Sequence, residues 1–157
     1  MKRVSIVILM VLLLPVAGLL AQSRAEKPND FTIELGGKCI AYSLSYQRMV
    51  GEMFGLEIGA SFLGGGTGGD SDSIIFLSGG GRFYFLKKNA SPTLSGGLVY
   101  VTSPTDAGPI EGSGVYFYIN PGFEFRQSSG FVVRGGVNFL IKDGFFVWPG
   151  IQLGIAF

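Results

Sequence analysis

Few side chains in this sequence could do chemistry, and their types narrow what that chemistry could be. Glu34, Glu57 and Glu124 recur with Arg82, Arg126 and Arg134 on matching positions of alternating runs. Such a set could form an acid–base pair or the gate of a small pore. It could equally form interior ion pairs, each charge partnered because burying one alone is costly. The ion-pair reading is adopted. Histidine, the side chain best suited to move protons near neutrality, is absent. Serines are plentiful, yet no general base stands ready to activate one. The expectation is a protein that is not an enzyme, with no catalytic residue, no cofactor and no metal.

Two stretches imitate ligand sites. "GGGTGG" at 64–69 satisfies G-x-G-x-x-G in letters, but a dinucleotide site needs a strand before it and a helix after it. Here another strand-like run follows, so the glycines read as an outer loop. Asp70 and Asp72 mimic the opening of a calcium loop, but Ile75 stands where glycine is required and Gly81 where the bidentate glutamate should be. Cys39 is the only cysteine, so it makes no internal disulfide and reads as a small structural residue. Lys87 and Lys88 read as a solvated turn.

The elements that must position the six charges follow from periodicity. From Asp30 onward, alternating runs are separated by turn chemistry, and they predict eight strands at 31–37, 39–49, 54–64, 73–86, 92–102, 114–126, 131–142 and 147–157. The split of 31–49 rests on a tight turn near Gly36, Gly37 and Lys38, and on the even strand number that a barrel with both ends on one side requires. Connections alternate between short and longer, a habit of outer-membrane barrels that is met only in part here.

Strand side chains alternate faces, so each run divides by parity. The last strand sets Val147, Pro149, Ile151, Leu153, Ile155 and Phe157 against Trp148, Gly150, Gln152, Gly154 and Ala156. The third sets Leu56, Ile58 and Phe62 against Glu57, Gly59 and Ser61. A soluble barrel turns the greasy face inward, and a membrane barrel turns it outward. The polar face is mostly Gly, Ser, Ala, Asn and Tyr with isolated charges, whereas a water-facing surface carries plentiful Lys, Glu and Asp. Small residues suit the crowded interior of a barrel of about eight strands, so the polar face is expected inside.

Aromatics sort by height as well. Phe31, Tyr46, Phe54, Phe83, Phe85, Phe123, Phe125, Phe131 and Phe157 fall at one end of the greasy face, and Phe62, Tyr100, Phe117 and Phe139 at the other. Two aromatic belts around an aliphatic band are the girdles of bilayer interfaces.

The start of the chain, "MKRVSIVILMVLLLPVAGLLAQS", has a basic pair, an apolar core and small residues, the layout of a secretory signal peptide. Cleavage is expected after Ala21, giving 1–21 as signal peptide, 22–30 as a short periplasmic lead-in and 31–157 as the barrel. Residues 22–157 carry 10 basic and 11 acidic side chains, so nothing suggests nucleic acid.

With its signal peptide, eight alternating strands and terminal "VWPGIQLGIAF", the chain resembles the small outer-membrane β-barrel proteins of bacteria with two membranes. "ELGGKCIAYSLSYQR" is similar to stretches of uncharacterised barrels of that sort. The resemblance implies an all-β, eight-stranded antiparallel up-and-down transmembrane barrel in the bacterial outer membrane, surrounded by outer-membrane lipid. It also implies that Leu153, Ile155 and Phe157 serve as a signal for the barrel-assembly machinery. It names no activity. The expected role is structural or surface interaction, without an open channel and with its surface partner unknown. A secreted, soluble lipocalin-like barrel with an apolar ligand, or a lipid-modifying outer-membrane enzyme, are the alternatives.

Overall fold

The structure, a computed structural model, describes residues 24–65, 72–102 and 113–157. The expected signal peptide, the glycine-rich loop with Asp70, and the longer loop at 103–112 lie outside the described residues. Eight strands follow in order: β1 (Asn29–Gly36), β2 (Tyr42–Met49), β3 (Phe54–Gly65), β4 (Asp72–Tyr84), β5 (Ala90–Thr102), β6 (Gly114–Arg126), β7 (Phe131–Ile141) and β8 (Phe145–Ala156). Each pairs antiparallel with its neighbours in sequence, and β1 pairs with β8 from Asp30↔Ala156 to Gly36↔Gly150, which closes the barrel. Beyond β8, Phe157 exchanges backbone hydrogen bonds of 2.8 and 3.1 Å with Asn29. The near end below is the one where β1 starts and β8 stops; the far end is the other.

The predicted second strand is corrected by the structure. Cys39, Ile40 and Ala41 do not extend it; β2 begins at Tyr42. Gly36 and Gly37 take φ of 70° and 75°, which glycine adopts readily and other residues rarely. The chain therefore leaves the sheet and turns inward as a single 3₁₀ turn, Gly37–Cys39. The eighth strand starts two residues earlier than expected, because Phe145 and Phe146 pair with Ile141 and Leu140.

The short β1–β2 hairpin leaves the wall lower than its flanks. Above Gly150, β8 residues Phe145–Pro149 pair with β7 alone. The last β2–β3 pair is Leu44↔Ala60, so Ser61–Gly65 pair with β4 alone. A second irregularity lies between β6 and β7. Their register runs through Ile119↔Phe139 and resumes at Gly122↔Gly136, skipping Asn120 and Pro121. Proline has no N–H to donate to a ladder, so the rung is missing there.

Burial alternates along every strand, and its sense is the reverse of a water-soluble protein. Ile58, Ile119 and Leu153 point outward, with 64%, 46% and 43% of their surface exposed. Thr32, Ser45, Gln47, Glu57, Arg82, Ser95, Asn138 and Gln152 are buried inside. The part of the lumen lined by these side chains is not the apolar cup of a lipocalin-like barrel. Phe31, Phe54, Phe83, Phe123, Phe131 and Phe157 ring the outside near end, and Phe62, Tyr100 and Phe117 stand on the far side. Tyr42 and Phe145 join the far belt, an addition to the sequence reading. The Phe54 ring lies over Gly81 on the outer face, 2.8 Å from where a Cβ would sit. An aromatic thus covers backbone that a glycine leaves bare.

Inside, glycine makes room. A Cβ on Gly97 would sit 2.6 Å from the Gly80 Cα, and one on Gly80 would sit 2.5 Å from the Tyr118 hydroxyl. The hydroxyl end of the buried Tyr118 side chain occupies the hollow over Gly80.

Candidate functional site

Register aligns the lumen charges. Glu34 stands opposite Gln152, Gln152 opposite Arg134, and Arg134 opposite Glu124, a row across β1, β8, β7 and β6. Asp30 and Glu57 both face Gln47 on β2. Because inward residues recur every second position, two residues along a strand move a charge one level up the lumen.

Two ionic clusters result. In the first, Glu124 accepts from Arg134 at 2.6 Å and from Arg24 at 3.0 Å, with Arg126 at 3.3 Å. Asp30 binds Arg126 and Arg134, each at 2.6 Å. The Tyr84 hydroxyl donates to Glu124 at 2.8 Å, and the Arg24 guanidinium lies 4.1 Å over the Tyr84 ring. In the second cluster, the Lys38 ammonium binds Glu34 at 2.8 Å and Glu57 at 2.7 Å, and Arg82 binds Glu57 at 2.9 Å. Two glutamines join the clusters. The Gln152 carbonyl oxygen accepts from Arg82 and Arg134 at 3.4 and 3.3 Å, while Gln47 accepts from Arg82 at 3.1 Å and donates to the Tyr84 hydroxyl at 2.7 Å.

All six charges singled out from sequence lie in this lumen: Glu34, Glu57, Arg82, Glu124, Arg126 and Arg134 are buried. Three more belong with them and were not singled out. Asp30 shares the parity of Glu34, a signal that was available. Lys38 comes from the inward turn, and Arg24 from the lead-in before β1, where strand periodicity carries no information. The lead-in itself enters the near end. Besides Glu124, Arg24 donates to the Leu86 carbonyl at 2.9 Å, and Arg126 donates to the Lys27 carbonyl at 3.0 Å. The Met49 N–H donates to the Pro28 carbonyl at 2.7 Å.

The far half of the lumen is different. Cys39, Phe76, Val99, Val101, Tyr116, Tyr118 and Leu140 form one buried apolar cluster, flanked by Ile40, Leu63, Ile74 and Phe146. The Tyr116 hydroxyl donates to the Lys38 carbonyl, fixing the inward turn against β6. Burial opposes the charge on Lys38, but Glu57 and Glu34 outweigh it and hold the ammonium above its ordinary pKa. Burial pushes the Cys39 thiol up to about 12, so it stays protonated and unreactive. Cys39 thus packs in the apolar cluster rather than at a strand start. Outside the wall, Lys87 and Lys88 are exposed in the β4–β5 turn, where Lys87 pairs with Glu52 at 2.6 Å.

Among the described residues, the lumen charges are held by one another. Between Glu34, Arg82, Asn120, Arg134 and Gln152 lies a void of about 10 Å³, room for roughly one water. No group of three or more metal-ligating side chains occurs among the described residues.

The fold has solved counterparts. The N-terminal β-barrel domain of Pseudomonas aeruginosa OprF superposes with a TM-score of 0.59 at 12% identity, over 82% of this chain and 95% of that one. The Yersinia pestis outer membrane protein Ail, in a phospholipid bilayer nanodisc, gives 0.50 at 13% identity, over 82% and 98%. No protein-family model and no curated protein sequence matches the chain. The architecture is that of eight-stranded outer-membrane barrels.

Proposed function

We propose that this chain is an integral barrel of the bacterial outer membrane with a sealed lumen, and that its role is non-enzymatic: structural, or the presentation of a surface to a partner. One observation carries the reading. Among the described residues, each buried charge of the two lumen clusters has an oppositely charged partner within 3.3 Å, while aliphatic side chains between two aromatic belts cover the outside. A sheet with this sense needs hydrocarbon around it, because exposed apolar patches of such extent are not left to water. A closed sheet satisfies its backbone without solvent. The signal-peptide pattern at 1–21 supports export. Outer-membrane lipid is then the main partner, and Leu153 and Ile155 on the outer face of β8, with Phe157 just beyond it, are the side chains offered to the barrel-assembly machinery.

Refolding into phospholipid vesicles tests both parts. A membrane barrel floats with the vesicles and shows different gel mobility before and after boiling; a protein soluble without detergent would overturn the membrane assignment. In planar bilayers a sealed lumen gives no large stable channels. Steady open conductance would overturn the seal alone.

A further inference from the structure

The low wall at the β1–β2 hairpin opens the side of the barrel. A shallow, widely open groove of about 360 Å³ lies where β1 stops against β8. It is lined by Leu35, Gly36, Trp148, Pro149, Gly150 and Ile151. Leu35, Pro149 and Ile151 belong to the outer face, whereas Trp148 lies on the inward parity of β8. The groove therefore reaches from the outer surface to a lumen-side ring, which a complete wall would screen.

The site is built, not merely left over. The Trp148 indole N–H donates to the Ile40 carbonyl at 2.8 Å, and its ring stacks on Phe146 with centroids 5.5 Å apart. Ile40 has φ 70° and ψ −62°, and the Ala41 N–H closes onto the Cys39 carbonyl at 2.8 Å around it. This is the γ-turn of the strained hand, rare for any residue and costly for a β-branched one. Such conformations persist only where surrounding contacts impose them, and they gather at ligand clamps and similar sites. Here the strained turn holds the hairpin inward and keeps the gap open.

We propose that this lateral cleft takes one acyl chain of a surrounding membrane lipid, which lies across Leu35 and Ile151 and ends against Trp148. The occupant follows from continuity: the groove is apolar and opens onto the same outer belt of Ile33, Leu44, Leu153 and Ile155 that faces hydrocarbon. The inference rests on the membrane reading above.

Trp148 is the only tryptophan in the chain, so its fluorescence reports on the cleft. The protein is refolded into phosphatidylcholine vesicles whose acyl chains carry bromine, a contact quencher. The reference is Leu77→Trp in a Trp148→Phe background, with its ring on the lipid-facing wall. Trp148 is expected to lose emission to nearly the same extent as the reference, and iodide in the water is expected to leave it unchanged. Ile151→Phe, which fills the groove, should restore emission while the boiled and unboiled gel bands stay distinct. Trp148 left bright by brominated chains while the reference is quenched would overturn the cleft. So would quenching by iodide instead, or an Ile151→Phe variant quenched as fully as the parent. A reference that also stays bright, or protein that fails to float with vesicles, would instead sink the membrane reading and this inference with it.

Discussion

The two halves of the lumen are filled by opposite means. Toward the near end, five cations and four carboxylates interlock through Gln47, Gln152 and Tyr84. Toward the far end, Phe76, Val99, Val101 and Leu140 pack without a charge among them. Both fill the interior, but they differ in what they demand of the chain. An apolar cluster accepts any apolar side chain of suitable volume, whereas an ionic network works only when each charge is brought to its partner, by strand register for most and by the turn and the lead-in for Lys38 and Arg24. The near half therefore fixes register, and the far half adds bulk burial.

The sharpest way to break this contrast is Arg134→Met. It leaves Asp30 and Glu124 short of a shared partner, and breaking a buried pair costs about 3–5 kcal/mol. Urea unfolding in vesicles, followed by gel mobility, should show the loss. Adding Glu124→Gln should recover part of it, because residues in one network are coupled. Leu140→Ala in the far half should cost about 2–3 kcal/mol through cavity formation. Unlike the first loss, this one should be indifferent to charge substitutions elsewhere in the lumen. Trp148→Phe removes one hydrogen bond to the Ile40 carbonyl and should cost about 1 kcal/mol. Lys87→Ala, in the exposed pair with Glu52, should change stability by less than about 0.5 kcal/mol.

Cys39 sharpens the comparison by pH. Its folded pKa is raised from an ordinary 9.0 to about 12. The unfolded chain therefore gives up the thiol proton first, and stability falls as pH rises through that window. Below it, a maleimide should label Cys39 only after denaturation. Labelling of the folded barrel at pH 8 would show that the far half admits water.

The wall of the barrel was largely legible in the sequence, and its contents less so. Strands β3 to β7 declare themselves through period-two alternation, and the outward turn of Ile58, Ile119 and Leu153 follows from the poverty of charge on the opposite face. Parity states which side of the wall a residue occupies, but not what stands across the lumen. The apolar far half thus went unrecognised although Phe76, Val99 and Leu140 share the inward parity. Lys38 and Arg24 were missed because they reach the lumen from a turn and from a lead-in. The tight turn at Gly36, Gly37 and Lys38 was read from the sequence, but its inward path and the late start of β2 at Tyr42 were not, because a strand pattern does not reveal positive φ. Asp30 was the avoidable omission, two steps along the same face as Thr32 and Glu34.

The lead-in has a mechanical consequence. A hoop of strands joined only around its rim can flatten under sideways load, as an unspoked wheel does. Arg24 leaves the β1 side, crosses the hollow and grips Glu124 on β6 and the Leu86 carbonyl beyond β4. That tie acts as a spoke, so the cross-section should resist becoming oval when it is squeezed from the side.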